Sequence, residues 1–346
     1  MKFGVQYLFR RPTGDPRSME QVYAAELEQI RFAESLGFDD VWVGEHHFVE
    51  DGWLPSPMVA AAAIAATTSR VTIGTNAAIP ALHHPIRLAE DCAVVDNISG
   101  GRLLLGVALG YRAREFDTLG VRHKQRAGRL EETVEIIRRC WTEEEFSFAG
   151  RYFTFDEVRC HPKPTRETIP VWIAAAEAEV SLRRVAALGD GWLASGAPQW
   201  HARKTYVAAL EELGRPTARP PIAASSKPWL FATRDPERDL AWLRPLARDM
   251  MATAQRWYDE AGQQFPGGLT GEQLADKLLL VDTPENIVRE IRQAHSEGSF
   301  TRHIHTPIIL GAPVDKCAEA LELFAHEVLP HLRSLGEEPA PEAATK

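Results

Sequence analysis

The chain has 346 residues, 45% of them hydrophobic and 25% charged, with a formal net charge of −9. A chain this long buries enough core to need no disulfide or metal, and its acidic balance without any basic stripe excludes nucleic acid as a partner. The four cysteines (Cys92, Cys140, Cys160, Cys317) form no Cys-x-x-Cys pair, and the longest apolar run, Met58 to Ala66, is too short to span a bilayer, which together with the absence of a signal pattern places the protein in the cytoplasm.

Phe3–Tyr7 reads as the first strand, and Tyr23, Leu27, Ile30 and Ala33 share one stripe of the helix that follows. Gly37 ends that helix, Asp40–Gly44 forms the second strand, and Glu45-His46-His47-Phe48 lies directly at its carboxyl end. Pro57 opens the next helix. The third strand is Val71–Thr75, followed by His83-His84 and a helix starting at Pro85 and closed by Gly100. Leu103–Ala108 is the fourth strand, with Gly106 and Gly110 at its rim. Within residues 142–168, Phe146 to Phe155 has the pattern of a hairpin inserted before strand five. Strands five and six are Val171–Ala174 and Gly191–Ala194, and Gly189 caps the helix between them. A segment near Trp229–Thr233 is the candidate seventh strand. Residues 235–276 are extra helical sequence after it, expected to cover the mouth with Trp229 and Trp257 as pocket walls. Thr283-Pro284-Glu285 opens a helix that Gly298 closes, Arg302–His305 is the eighth strand, and Cys317, Leu321, Phe324, Val328 and Leu332 line the last helix.

Several strands are continuously apolar, as parallel strands covered on both faces are. Eight strand–helix units imply a single (β/α)8 TIM barrel over residues 1–335, with insertions before strand 5 and after strand 7, and a disordered tail over 336–346.

Barrel active sites are built at the carboxyl ends of the strands, so His46-His47 is the best placed histidine feature. His303-x-His305 has the spacing that points two imidazoles to one side of a strand, and with Glu45 and His46 it sketches a zinc site. No bridging ligand accompanies it, which ranks metal low. No G-x-G-x-x-G follows the first strand, so a Rossmann nucleotide site has no support.

Glu45-His46-His47-Phe48, Ile73 to Ala77, His84 to Asp91, Asp96 to Arg102, Gly106 to Phe116, and Val171 to Trp192 together resemble the luciferase-like flavin monooxygenases across nearly the whole chain. The resemblance implies His46 as the catalytic residue beside the flavin and a non-proline cis peptide at Asn76-Ala77 behind the ring. It places Glu45, Leu109, Gly110, Tyr111, Glu177, Ala178 and Ser181 around the cofactor, with Arg126 or Arg129 supplying charge for its phosphate. Leu109 departs from the family, which has a phosphate-binding arginine there, and Ala108 stands where the luciferase has a reactive cysteine.

The activity so implied is a two-component FMN-dependent monooxygenase. A separate flavin reductase supplies FMNH2, and one oxygen atom from O2 passes through a C4a-peroxyflavin to a small substrate such as an aldehyde or ketone. The alternatives on the same fold are an F420-dependent hydride-transfer oxidoreductase and a non-catalytic flavin-binding protein. Relatives pair through barrel helices, so the resemblance also implies a homodimer.

Overall fold

The computed structural model describes residues 1–260 and 268–335. The expected tail from Gly336 lies outside the described residues, as does part of the segment expected to cover the mouth.

Among the described residues there are twelve strands: β1 (Lys2–Tyr7), β2 (Asp40–Val43), β3 (Thr72–Thr75), β4 (Leu103–Val107), β5 (Phe146–Ala149), β6 (Thr154–Val158), β7 (Val171–Ala175), β8 (Gly191–Ala194), β9 (Ile222–Ala224), β10 (Trp229–Ala232), β11 (Leu279–Asp282) and β12 (Arg302–His305). The helices are α1 (Met19–Ser35), α2 (Pro57–Thr67), α3 (Pro85–Ser99), α4 (Ala113–Thr118), α5 (Arg126–Thr142), α6 (Glu179–Leu188), α7 (Trp200–Glu212), α8 (Pro236–Glu260), α9 (Gly271–Leu278), α10 (Pro284–Gly298), α11 (Val314–Glu327) and α12 (Leu329–Leu332). Eight strands close a parallel barrel in the order β1-β12-β9-β8-β7-β4-β3-β2, with helices around it. This is the expected (β/α)8 barrel, and the hairpin before its fifth strand is the antiparallel pair β5–β6.

The seventh barrel strand differs from expectation. It is the short run Ile222–Ala224, which pairs with β8 and β12. Trp229–Ala232 instead pairs in parallel with Leu279–Asp282 as a separate two-stranded sheet. Its large side chains need cover that a barrel stave does not offer here. Trp229 and Phe231 pack with Leu243, Ala247 and Met250 of α8 in a satellite core. Two glycine caps also differ: Gly189 is extended rather than left-handed, and the left-handed cap of α10 is Ser299, one residue past Gly298. Among the described residues, no helix is long and apolar enough to cross a membrane.

Trp42, Leu104, Trp172, Leu193, Ala223 and Ile304 fill the barrel interior. Two indoles fit in one small barrel only because glycine stands opposite each. Gly74 is in register with Trp42, and Gly191 with Trp172. A Cβ on Gly74 would lie 2.2 Å from the Trp42 ring, and one on Gly191 would lie 2.4 Å from Trp172. Neither ring has room to retreat, since their centroids are 6.4 Å apart. Gly74→Ala is therefore expected to cost ~3 kcal/mol or more through overpacking, read as a lower midpoint in urea unfolding. An unchanged midpoint would mean that the interior is looser than drawn.

Candidate functional site

The mouth lies at the carboxyl ends of the barrel strands, over the Trp42–Trp172 layer. The site begins where β2 runs out. The backbone N–H of His46 donates to the Leu54 carbonyl (3.1 Å), which folds the loop after β2 back on itself. His46 is 9% exposed, and its Nδ1 is 2.9 Å from Oε1 of Glu115, a fully buried carboxylate on α4. The same oxygen accepts the His47 backbone N–H at 3.0 Å. Burial by itself would raise the Glu115 pKa, but its bonds to His46 and His47 and the nearby Arg112 charge outweigh that and hold it below the usual carboxylate range. An ionised Glu115 fixes the proton of neutral His46 on Nδ1, so Nε2 is left as the accepting atom. Among the described residues, Nε2 of His46 has no protein partner.

Two tryptophans bracket the imidazole. Trp53 stands edge-on at 4.3 Å between centroids and Trp257 of α8 is tilted at 5.7 Å. An arginine packs on each indole: Arg10 is 4.1 Å from the Trp53 centroid and Arg112 is 4.5 Å from that of Trp257. Arg10 also pairs with Asp51, and Arg112 donates to the His47 carbonyl (2.6 Å). Tyr111 stands edge-on to His46 at 5.7 Å and stacks on Tyr258. Trp257 thus forms a wall of the mouth as expected, whereas Trp229 lies in the satellite core.

Glu45 does a different job from its neighbour. Its carboxylate is buried and accepts from the Ile79 backbone N–H (2.8 Å), while both His47 Nε2 and His83 Nε2 lie 2.8 Å from it. It therefore clamps the segment that follows Asn76-Ala77, whose peptide is cis. Gln6 holds the other side: its Nε2 donates to the Asn76 carbonyl (3.1 Å) and its Oε1 accepts from Asn76 Nδ2 (3.0 Å). Burial alone would raise the Glu45 pKa, but the bonds to His47, His83 and Ile79 bring it down to about 2. A depressed carboxylate contributes stability that is present above its unfolded pKa, near 4.3, and is lost as pH falls toward the folded value. Glu45→Gln should therefore cost about 3 kcal/mol at pH 7 and flatten the decline in stability between roughly pH 4.5 and 2, as read by denaturant unfolding across that range. An acid limb identical to that of the natural chain would refute the clamp.

The remaining candidates spread around the rim. Gly110 is left-handed at φ +74, where a Cβ would strike Ile79 and Phe116, and Leu109 packs on the main core. Ala178 is the N-cap of α6 and offers no capping side chain; the Ser181 N–H turns back to the Ala178 carbonyl (2.9 Å), which leaves the Glu179 and Val180 N–H groups open to an oxyanion. Glu177 turns away and caps α7 by accepting the Gln199 backbone N–H (2.7 Å). Ser181 is inside the first turn of α6. Arg126 donates to the His123 carbonyl (3.2 Å). Arg129 donates to the Ala81 carbonyl and stacks on Phe153. His303 and His305 face the helical shell among Phe3, Phe38, Phe300 and Phe324, and do not approach Glu45 or His46. Among the described residues, no three His, Cys, Asp or Glu side chains converge as a metal site.

Glu115, Trp53, Arg10 and Arg112 were not singled out from the sequence. The available signal for Glu115 was its place in the first helix after the fourth strand, at the end of the barrel where sites form. Set between Arg114 and Phe116 it looks like any surface acid.

Residues 1–300 match the model of a family described as luciferase-like monooxygenase. An F420-dependent glucose-6-phosphate dehydrogenase of Intrasporangium calvum is 29% identical over 334 residues, covering 92% of this chain and 98% of that protein. One of the same description from Nakamurella multipartita is 28% identical, covering 93% and 96%. Among solved structures, monooxygenase RslO1 from Streptomyces bottropensis superposes with a TM-score of 0.80 at 27% identity, covering 96% of this chain and 99% of that one.

Proposed function

The chain belongs to the luciferase-like monooxygenase family, and on that premise we propose that it is an F420-dependent oxidoreductase that takes a hydride from an alcohol. The observation that carries this reading is the buried Glu115 carboxylate on Nδ1 of His46. Removing hydride from a carbinol carbon requires that the hydroxyl proton leave as well, and Nε2 of His46 is the base the dyad makes available. The full-length relatives described as F420-dependent support the same reading. It replaces the FMN monooxygenase as the preferred activity. That second reading keeps one supporting observation, the likeness to RslO1.

The mouth fits a flat tricyclic cofactor. The partly buried Ala77 and Ala174 form an apolar shelf above the barrel interior. Trp53 Nε1 and Glu115 Oε2 are buried without a protein partner among the described residues, so polar demand is left at the mouth. The uncapped start of α6 suits a cofactor phosphate and supplies with backbone N–H groups what Leu109 does not. When bound, F420 supplies the hydride acceptor. The chain's own part is to seat the substrate hydroxyl at Nε2 of His46, hold the imidazole through Glu115, and keep water out with Trp53 and Trp257.

The test is anaerobic. With F420 and a panel of alcohols that includes glucose 6-phosphate, at least one alcohol should bleach the deazaflavin without O2. Product formation only with reduced FMN, a reductase and O2 would transfer the assignment to the second reading, and neither activity would point to a non-catalytic binder.

We also propose that two copies pair through α2 and α3. These helices are neighbours, and they leave Val59, Val94 and Ile98 at 71%, 42% and 49% exposure. Sedimentation equilibrium should give a dimer, and Val59→Asp should weaken it. A natural chain that sediments as a monomer at micromolar concentration removes the proposal.

A further inference from the structure

A cavity of about 620 Å³ opens beside the His46 cluster, between the loop after β1, the loop after β2, the start of α4, the outer half of α8 and the loop after β12. It shares Trp257 and Arg112 with that cluster, so whatever fills it lies next to the imidazole. Its wall carries Arg10, Arg17, Arg112, Arg114 and Arg256 against Asp15, Glu50, Asp51 and Asp249. A cation-rich wall stands out on a chain whose net charge is −9.

Pairing removes part of that charge. Arg17 is bound to Asp15 and Arg10 to Asp51. Arg112 is 4% exposed, and its nearest carboxylate is Glu115 at 3.5 Å, already committed to His46 and the His47 N–H. Among the described residues, Arg114 and Arg256 have no carboxylate within ion-pair distance. Arg256 donates only to the Thr253 hydroxyl (2.9 Å). Glu50 and Asp249 remain on the acidic side of the wall, and neither is paired with either arginine. Three guanidinium groups are thus under-neutralised around one cavity, one of them desolvated. The rest of the lining is mostly apolar, with Phe48, Leu246, Met250 and Leu310 beside Thr13 and Thr253.

We propose that this cavity is the substrate site and that it selects organic molecules bearing an oxyanion, phosphate or carboxylate, held by Arg114 and Arg256 with Arg112 behind them. A guanidinium fork binds either group through two parallel N–H bonds. The apolar lining takes the body of the molecule, and its reacting carbon is brought toward His46. That the ligand is a substrate rests on the oxidoreductase reading; the oxyanion selectivity does not.

The test is calorimetric titration of the full chain with two matched pairs, glucose 6-phosphate against glucose and hexanoate against 1-hexanol. At least one acid should bind at least ~10-fold more tightly than its neutral partner, and its affinity should fall as salt rises. The double variant Arg114→Gln, Arg256→Gln changes exposed side chains, so its fold should survive. It should weaken the acid ~10–100-fold and leave the neutral molecule unchanged. The pair that responds tells phosphate from carboxylate. Acids that bind no better than their neutral partners, or a double variant that binds the acid like the natural chain, would overturn the proposal. F420 affinity, followed by fluorescence in the same preparations, is a separate readout. Its absence with the acid preference intact would sink the cofactor assignment and leave the oxyanion site standing.

Discussion

Replacing His46 by alanine should lower kcat by ~10²–10⁴-fold while F420 still binds within about threefold of its natural affinity. The imidazole is walled by Trp53 and Trp257, and its Nε2 has no protein partner among the described residues. The ring's one hydrogen bond among those residues is to Glu115, whose carboxylate keeps the His47 N–H and the Arg112 charge in the variant. What the variant loses, on the proposed reading, is the base that accepts the substrate's proton. Turnover at the natural rate would dismiss His46, and failure to bind F420 would instead make it a cofactor contact.

Glu115→Gln should be the next most damaging single change, with kcat down ~10²-fold or more and cofactor affinity and substrate KM nearly unmoved. The carboxylate bonds His46 Nδ1 and the His47 N–H through one oxygen. An amide keeps an acceptor there but removes the negative charge that favours a proton on Nδ1 and steadies the imidazolium as it forms. Steady-state kinetics with a measured F420 dissociation constant separates this from simple disruption. A parallel rise in KM and in the dissociation constant, with kcat preserved, would show Glu115 to be only a structural tie.

The scaffold was legible because most barrel strands are short, continuous apolar runs between helix stops. The exception teaches the limit. Ile222–Ala224 is only three residues, two of them alanine, too weak a pattern to stand out, whereas Trp229–Ala232 a few residues later is bulkier and reads as the better strand. Hydrophobicity marks what must be buried, not where; the bulk of Trp229 and Phe231 is buried under α8 instead of in the barrel wall. The site was legible to the same depth. Position at a strand end pointed to His46, and the resemblance pointed to Asn76-Ala77. The partners that give them meaning were hidden by distance along the chain: Glu115 is 69 residues from His46, and Asn76 is 70 from Gln6. Contacts of that kind leave no local periodicity. Glu45 shows the converse, a motif residue whose carboxylate is committed to holding the loop after β3 through Ile79 and His83.

The charge pattern of the mouth also reshapes what the histidine pair means. His46 and His47 are adjacent in sequence but serve opposite sides. His46 turns to Glu115 and the aromatic pocket, while His47 turns back to Glu45. On the proposed reading, one serves the chemistry and the other the shape of the loop.

The most direct measurement is a fluorescence titration of the purified chain with F420, oxidised FMN and, under anaerobic conditions, reduced FMN. A hydride-transferring F420 enzyme should bind F420 at least ~10-fold more tightly than FMN in either redox state, a gap of about 1.4 kcal/mol. Tighter binding of reduced FMN than of F420 would contradict the account and return the chain to the oxygen-using branch of its family.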